Sequence, residues 1–326
     1  MKQPAWLAQP ERGSMLLLRL MAWIALRLGR RVGRALLYPI CAYFLLFSPD
    51  TRRASRDFLG RVLGRPVRWR NLFRHYHTFA AVILDRVYLL SGREDRFQIE
   101  LHGLEVLETM LAKERGCLLV GSHLGSFEIL RVLGMRRRGL RIRALAFNGN
   151  SHRMNAVLRA LNPEVADTVI PVGDSTALLD LESHLAEGAL VCLLGDRVLH
   201  GEKRVACEFM GEEAWFPGAP AMLSGILKAP AVLFYGIYRG DYRYEIHFEL
   251  LSEALPLPRR ERETAIRVIM QRYAARLEQH CRQAPYNWFN FYDFWESDRV
   301  TCQETAPDFA AEPEPEPALD DSRRAC

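Results

Sequence analysis

The residues best equipped for chemistry lie in one stretch, CLLVGSHLGSFEIL, from Cys117 to Leu130. An apolar run that reads as a strand ends at Gly121; Ser122, His123, Leu124 and Gly125 form a turn, and a helix follows. In an open parallel sheet, ligands bind outside the carboxyl ends of the strands, which is where His123 falls. Glu128, five residues on, enters the first helical turn, so the chain can fold back and set its carboxylate against one imidazole nitrogen. That contact would fix the tautomer and raise the basicity of the other nitrogen, making a general base for hydroxyl attack on a carbonyl. Spacing alone leaves a plainer reading open, in which backbone groups satisfy His123 and the helix dipole favours Glu128.

The elements that must position these residues follow from periodicity. Short β-rich runs at Gly116–Gly121, Arg141–Phe147, Thr168–Val172 and Ala189–Gly195 alternate with helical stretches at Gly125–Arg138, Ser151–Leu161 and Ser175–Glu187. Such alternation predicts an α/β fold, a central mostly parallel sheet flanked by helices. Ala231–Arg239 and Tyr242–Leu251 read as a hairpin around Gly240 and Asp241, and a long helix runs from about Arg259 to Arg282. Three regions result: a helical, membrane-associated extension over residues 1–90, an α/β domain over 91–300, and a disordered acidic tail over 301–326 with a Glu-Pro repeat.

Other constellations carry less. Gly121 to Gly125 has the spacing of a nucleophile elbow, but its centre is His and not Ser. His75 and His77 are two apart in a helical pattern, which turns them to different faces and argues against a zinc pair. Arg136, Arg137 and Arg138 form a cationic run that reads as a solvated helix end or a dock for an acidic carrier. The aromatic run YNWFNFYDFWE, Tyr286 to Glu296, reads as core packing, with an acyl groove or a lipid interface as alternatives.

The stretch from 117 to 296 resembles the lipid A biosynthesis acyltransferase family, within the lysophospholipid acyltransferase superfamily. HLGSFE at 123–128 matches that family's H-x4-E block. RMNAVLR, with Asn155 and Arg159, is similar to its second block, and LVCLLGDR at 190–197 has Asp196 and Arg197 where Asp-Gln is usual. FMGEEAWFPGAPAML at 209–223, with Gly218, and APAVLFYGIYR at 229–239 resemble the third and fourth blocks. The resemblance implies transfer of a fatty acyl group from an acyl thioester, of acyl carrier protein or coenzyme A, to a hydroxyl of a membrane lipid or glycolipid. It places that activity at the cytoplasmic face of the cell inner membrane. His123 and Glu128 would be the catalytic pair; Asn155, Arg159, Asp196, Arg197 and Gly218 would bind substrate. No cofactor or metal is implied. A lipid-acting hydrolase and a catalytically silent membrane-binding protein are the rival readings.

Charge and cysteine usage agree with a peripheral cytoplasmic enzyme. The chain of 326 residues carries +5 overall, but residues 1–86 hold sixteen Lys and Arg against four acidic groups, and the last 26 hold seven acidic against two basic. The basic end is interleaved with two apolar runs, Met15–Leu28 and Ala35–Phe47, each too short to cross a bilayer alone. Arginine beside Trp23, Tyr38 and Tyr43 suits a membrane surface; no nucleic-acid-binding motif accompanies it. Seven scattered cysteines without a C-x-x-C pair argue against disulfides and thiolate metal clusters.

Overall fold

The computed structural model of the chain describes residues 15–112, 115–130, 134, 140–147, 168–172, 177–199, 201–254 and 260–295. Four helices come first: α1 (Met15–Leu28), α2 (Arg30–Phe47), α3 (Pro49–Leu63) and α4 (Trp69–Leu90). Each buries one stripe; α2, for example, turns Arg30, Gly33, Leu37, Cys41 and Leu45 inward at the 3–4 residue spacing of an amphipathic helix. Gly29, at φ 88, breaks α1 from α2, and Pro49 opens α3 at a position where its missing N–H costs nothing.

The sheet follows. Strand β1 (Gln98–His102), helix α5 (Leu104–Leu111), β2 (Cys117–Gly121), β3 (Ile142–Phe147), β4 (Val169–Val172), α6 (Ala177–Ala186) and β5 (Leu190–Leu194) lead to a hairpin. That hairpin, β6 (Arg204–Phe209) with β7 (Glu212–Pro217), stands apart from the sheet as an antiparallel pair. Helix α7 (Ala219–Leu227), strands β8 (Ala231–Gly240) and β9 (Arg243–Ser252), and helix α8 (Arg262–Gln283) complete the order. The seven-stranded sheet runs β1-β9-β8-β2-β5-β3-β4, and only the β8–β9 pair is antiparallel. The fold is therefore mixed α/β with a mostly parallel central sheet, as the alternation predicts. Central strands β2 and β5 are apolar and, apart from Leu194 at the end of β5, buried on both faces, the pattern of a parallel strand covered by helices.

Two features were not expected. Strand β1, QIELH, is a short edge strand with polar residues at alternate positions, and the β6–β7 hairpin reverses through Met210 and Gly211, both at positive φ. The acidic tail, the helix read at 151–161 and the arginine run at 136–138 lie outside the described residues.

The N-terminal helices are packed onto this sheet. Arg30 of α2 is 4% exposed and forms a bidentate pair with the fully buried Asp85 of α4, Nε to Oδ1 at 2.7 Å and Nη2 to Oδ2 at 2.9 Å. Tyr244 of β9 donates its hydroxyl to the same carboxylate at 3.0 Å, and Arg30 also donates to the Asp241 carbonyl and lies 4.0 Å over the Tyr242 ring.

Candidate functional site

Strands β2 and β5 are neighbours and parallel, with Gly121 in register with Leu194, and Gly195 N–H extends the ladder by donating to the Gly121 carbonyl at 2.9 Å. The residues two beyond each strand end therefore meet: His123 Nδ1 lies 2.8 Å from Asp196 Oδ1, and the His123 backbone N–H donates to Oδ2 at 2.9 Å. Trp288 Nε1 and Asn290 Nδ2 also donate to Oδ2, at 2.9 and 3.2 Å. An aspartate with this many donors is a fixed anion, so Nδ1 carries the proton and Nε2 is left with its lone pair. The His123 side chain is 25% exposed, whereas the Asp196 side chain is sealed.

The loop that carries His123 is held on both sides. On one side, the 287–290 segment pairs with it: Phe289 N–H donates to the His123 carbonyl at 2.8 Å and Gly125 N–H to the Asn287 carbonyl at 2.8 Å. On the other, Ser126 N–H donates to the Gly236 carbonyl of β8 at 2.7 Å. Gly125 has φ 71, and a Cβ there would sit 1.9 Å from the Gly236 oxygen, so no other residue allows this approach. Asn287 in turn accepts from Tyr238 N–H at 2.8 Å, and Tyr273 of α8 donates its hydroxyl to the Gly121 carbonyl at 2.9 Å.

The electrostatics favour a neutral imidazole beside an ionised carboxylate. Burial and then the Arg197 charge lower the His123 pKa below 6.5, with Asp196 opposing them. Burial alone would raise Asp196, but its contacts with His123 and the nearby Arg197 hold it at about 2. Arg197 is fixed beside the pair, donating from Nε to Asn290 Oδ1 at 2.8 Å and from Nη2 to the Phe289 carbonyl at 3.1 Å.

Of the residues read from the sequence, the structure brings His123, Asp196 and Arg197 together. The carboxylate on Nδ1 is Asp196, a residue expected to bind substrate, and not Glu128, the partner that the five-residue spacing predicts. Glu128 is buried in the helical turn at 128–130, beyond the loop. The physical reason is strand order: β5 lies directly beside β2, and this adjacency cannot be read from spacing along the chain. Gly218 caps α7 and donates its N–H to the Lys203 carbonyl at 2.7 Å. Asn155 and Arg159 lie outside the described residues. Trp288 and Asn290 were read only as part of an aromatic run; the asparagines punctuating those rings were the available signal.

A second histidine supports the site from behind. His75 of α4 is fully buried; its Nε2 donates to the Trp288 carbonyl at 2.8 Å, so its Nδ1 accepts from the Ser55 hydroxyl of α3, also at 2.8 Å. It is thus a core histidine tying the N-terminal helices to the residue that holds Asp196. Burial lowers its pKa to about 4. An unfolded chain takes up that proton near pH 6.5, so stability falls as pH drops from 6.5 toward 4, by about 3 kcal/mol in all. We expect urea unfolding at pH 7 and pH 4 to show this loss in the native protein and a smaller one, by about that amount, in His75→Gln. Equal losses in the two proteins would show that His75 does not titrate in this way.

Among the described residues no single helix is long and apolar enough to cross a membrane; α2 and α3 pass together by length and composition, but bend by 97° between them. No curated protein matches the chain. A family model described as bacterial lipid A biosynthesis acyltransferase matches residues 7–297 and takes in the whole His123–Asp196 arrangement. The chain therefore belongs to the bacterial lipid A biosynthesis acyltransferase family, and is an acyltransferase that moves an acyl group from a donor to a lipid acceptor.

Proposed function

We propose that the chain moves a fatty acyl group from the thioester of acyl carrier protein to a hydroxyl of a lipid or glycolipid at the inner membrane's cytoplasmic face. His123 acts as general base through Nε2. The observation that carries this reading is the 2.8 Å contact between His123 Nδ1 and Asp196 at the ends of adjacent parallel strands. With Nδ1 held, Nε2 takes the proton from the acceptor hydroxyl as its oxygen attacks the thioester carbonyl. The new C–O bond forms, the tetrahedral intermediate collapses, and the C–S bond breaks. The imidazolium returns its proton to the departing thiolate, which restores the base. Asp196 stabilises the imidazolium in between, as the buried aspartate does in hydrolytic triads. Glu128 is a buried side chain of the same block, in the helical turn that follows the loop.

Membrane contact is the second part of the proposal. Ten of the sixteen exposed large apolar side chains among the described residues fall between Leu20 and Phe79, with Trp23, Tyr43, Phe47 and Trp69 all more than half exposed. Exposed Arg27, Arg31, Arg53 and Arg56 lie among them, a combination that suits the headgroup region of an anionic bilayer. Trp23→Ala with Phe47→Ala is expected to reduce binding to anionic vesicles about tenfold or more in a flotation assay, since each ring buried in lipid contributes about 1.5–3 kcal/mol. Unchanged flotation would move the membrane-binding face elsewhere.

The activity is tested by incubating purified protein with acyl carrier protein bearing a labelled acyl chain and with a membrane lipid extract. Label in a lipid product supports the proposal. Label released as free fatty acid without any acceptor favours a hydrolase, and label that stays on the carrier favours a silent membrane-binding protein.

A further inference from the structure

We propose that the β1–β9 edge of the sheet carries a zinc site built from His102, His247 and Glu245, remote from the reacting groups. The two strands are parallel, with Glu100 in register with Glu245 and His102 in register with His247. Residues two apart on a strand project from one face, and register partners on adjacent strands are about 4.8 Å apart. Two imidazoles and two carboxylates thus occupy a two-by-two grid on one face of the sheet. The rings of His102 and His247 stack nearly parallel, 4.6 Å between centroids, and His247 Nε2 lies 3.3 Å from Glu245 Oε2. One donor atom from each of His102, Glu245 and His247 lies within 4.8 Å of the other two.

Two histidine nitrogens and a carboxylate oxygen form a donor set that suits zinc, which binds them at about 2.0–2.2 Å. Donors on one ion can then be no more than about 4.3 Å apart, so the two stacked imidazoles must turn from their parallel arrangement to converge on it. Arg239 and His247 contact Glu245 Oε2 at 2.8 and 3.3 Å, so the ion would share this carboxylate with the Arg239 guanidinium. Glu100, 3.3 Å from His102 Nε2, is within reach as a fourth ligand. A third imidazole backs the grid: His280 of α8, 4.9 Å from the His247 ring, is buried with its Nε2 on Glu249 at 2.8 Å and its Nδ1 without a hydrogen-bond partner among the described residues. Orphaned buried nitrogens are rare, and this one lies beside the cluster. In sheet order β9 is separated from β2 by β8, so the ion would tie the edge strand β1 to the sheet and leave the reaction to His123.

The test uses the full chain, loaded with zinc sulfate or cobalt chloride and then dialysed. The expected result is one zinc per chain by elemental analysis, a visible cobalt absorption band typical of tetrahedral ligation, and a thermal midpoint about 3 °C or more higher with zinc. His102→Ala, at a half-exposed position of the edge strand, should abolish all three, as should His247→Asn, whereas His123→Ala should keep them. Absence of stoichiometric zinc, binding that survives His102→Ala, or binding lost in His123→Ala would each overturn the site.

Discussion

Replacing Asp196 with asparagine should leave the fold intact and lower acyl transfer by about 10³ to 10⁴-fold. The size follows from what the carboxylate does. Oδ1 accepts the Nδ1 proton of His123, and Oδ2 accepts from the His123 backbone, Trp288 and Asn290. An asparagine can keep the Oδ2 contacts through its carbonyl oxygen, but it then presents an amide N–H to Nδ1. The imidazole must place its proton on Nε2 and is no longer a base toward the acceptor, the same failure that costs hydrolytic triads about 10⁴-fold. His123→Ala should fall at least as far. The measurement is initial rate of transfer with labelled acyl carrier protein, alongside unfolding curves that confirm the variants are folded. Asp196→Asn with a loss of under about fivefold would remove Asp196 as the positioning carboxylate. Glu128→Gln, run in parallel, shows whether the helical carboxylate also supports the imidazole.

The same geometry fixes a sign for the pH profile. In the proposed role His123 acts as a neutral base, and burial with the Arg197 charge lowers its pKa, so the acid limb of the rate should lie below pH 6.5. Replacing Arg197 with glutamine removes a cation that disfavours imidazolium, and the limb should move to higher pH. A role for Arg197 confined to packing would lower the rate without moving it.

How much of this could be read along the chain depends on which interactions are local. Strands β2 and β5 were legible because runs such as CLLVG and LVCLL are apolar throughout and end at glycine. His123 was legible because it follows one of those ends. The role of Asp196 was not, although the residue itself was singled out: its partner is 73 positions away, and strand order alone brings the two together. Strand β1 escaped because five residues with alternate polar side chains at a sheet edge resemble a loop. The 287–290 segment escaped because the weight of its rings suggested packing, whereas Trp288 and the two asparagines also hold the histidine loop through their polar atoms. His75 was read as a poor zinc ligand from its helical spacing, and its buried contacts with Ser55 and Trp288 agree with that.

The N-terminal helices provide the other large effect. Arg30→Met should cost about 3–5 kcal/mol of unfolding free energy, because it leaves Asp85 as a buried carboxylate that has lost its cation. Only Tyr244 of the groups bonded to Asp85 would remain, with one donor. The loss should be smaller at pH 5 than at pH 8. Burial already raises the Asp85 pKa, Arg30 opposes that rise, and without the cation the folded protein holds a proton that the unfolded chain releases. The double variant Arg30→Met with Asp85→Leu should recover part of the loss, since the apolar pair carries no charge desolvation, although the buried Tyr244 hydroxyl loses its acceptor. Denaturant unfolding of the three proteins at both pH values measures the coupling directly. A cost below about 1 kcal/mol for Arg30→Met would mean that this pair does not couple α2 and α4 to the fold. A cost near the upper figure would mean that the helices bearing the exposed aromatic residues and the sheet bearing His123 fold as one unit, so that a bilayer touching the first fixes the orientation of the second.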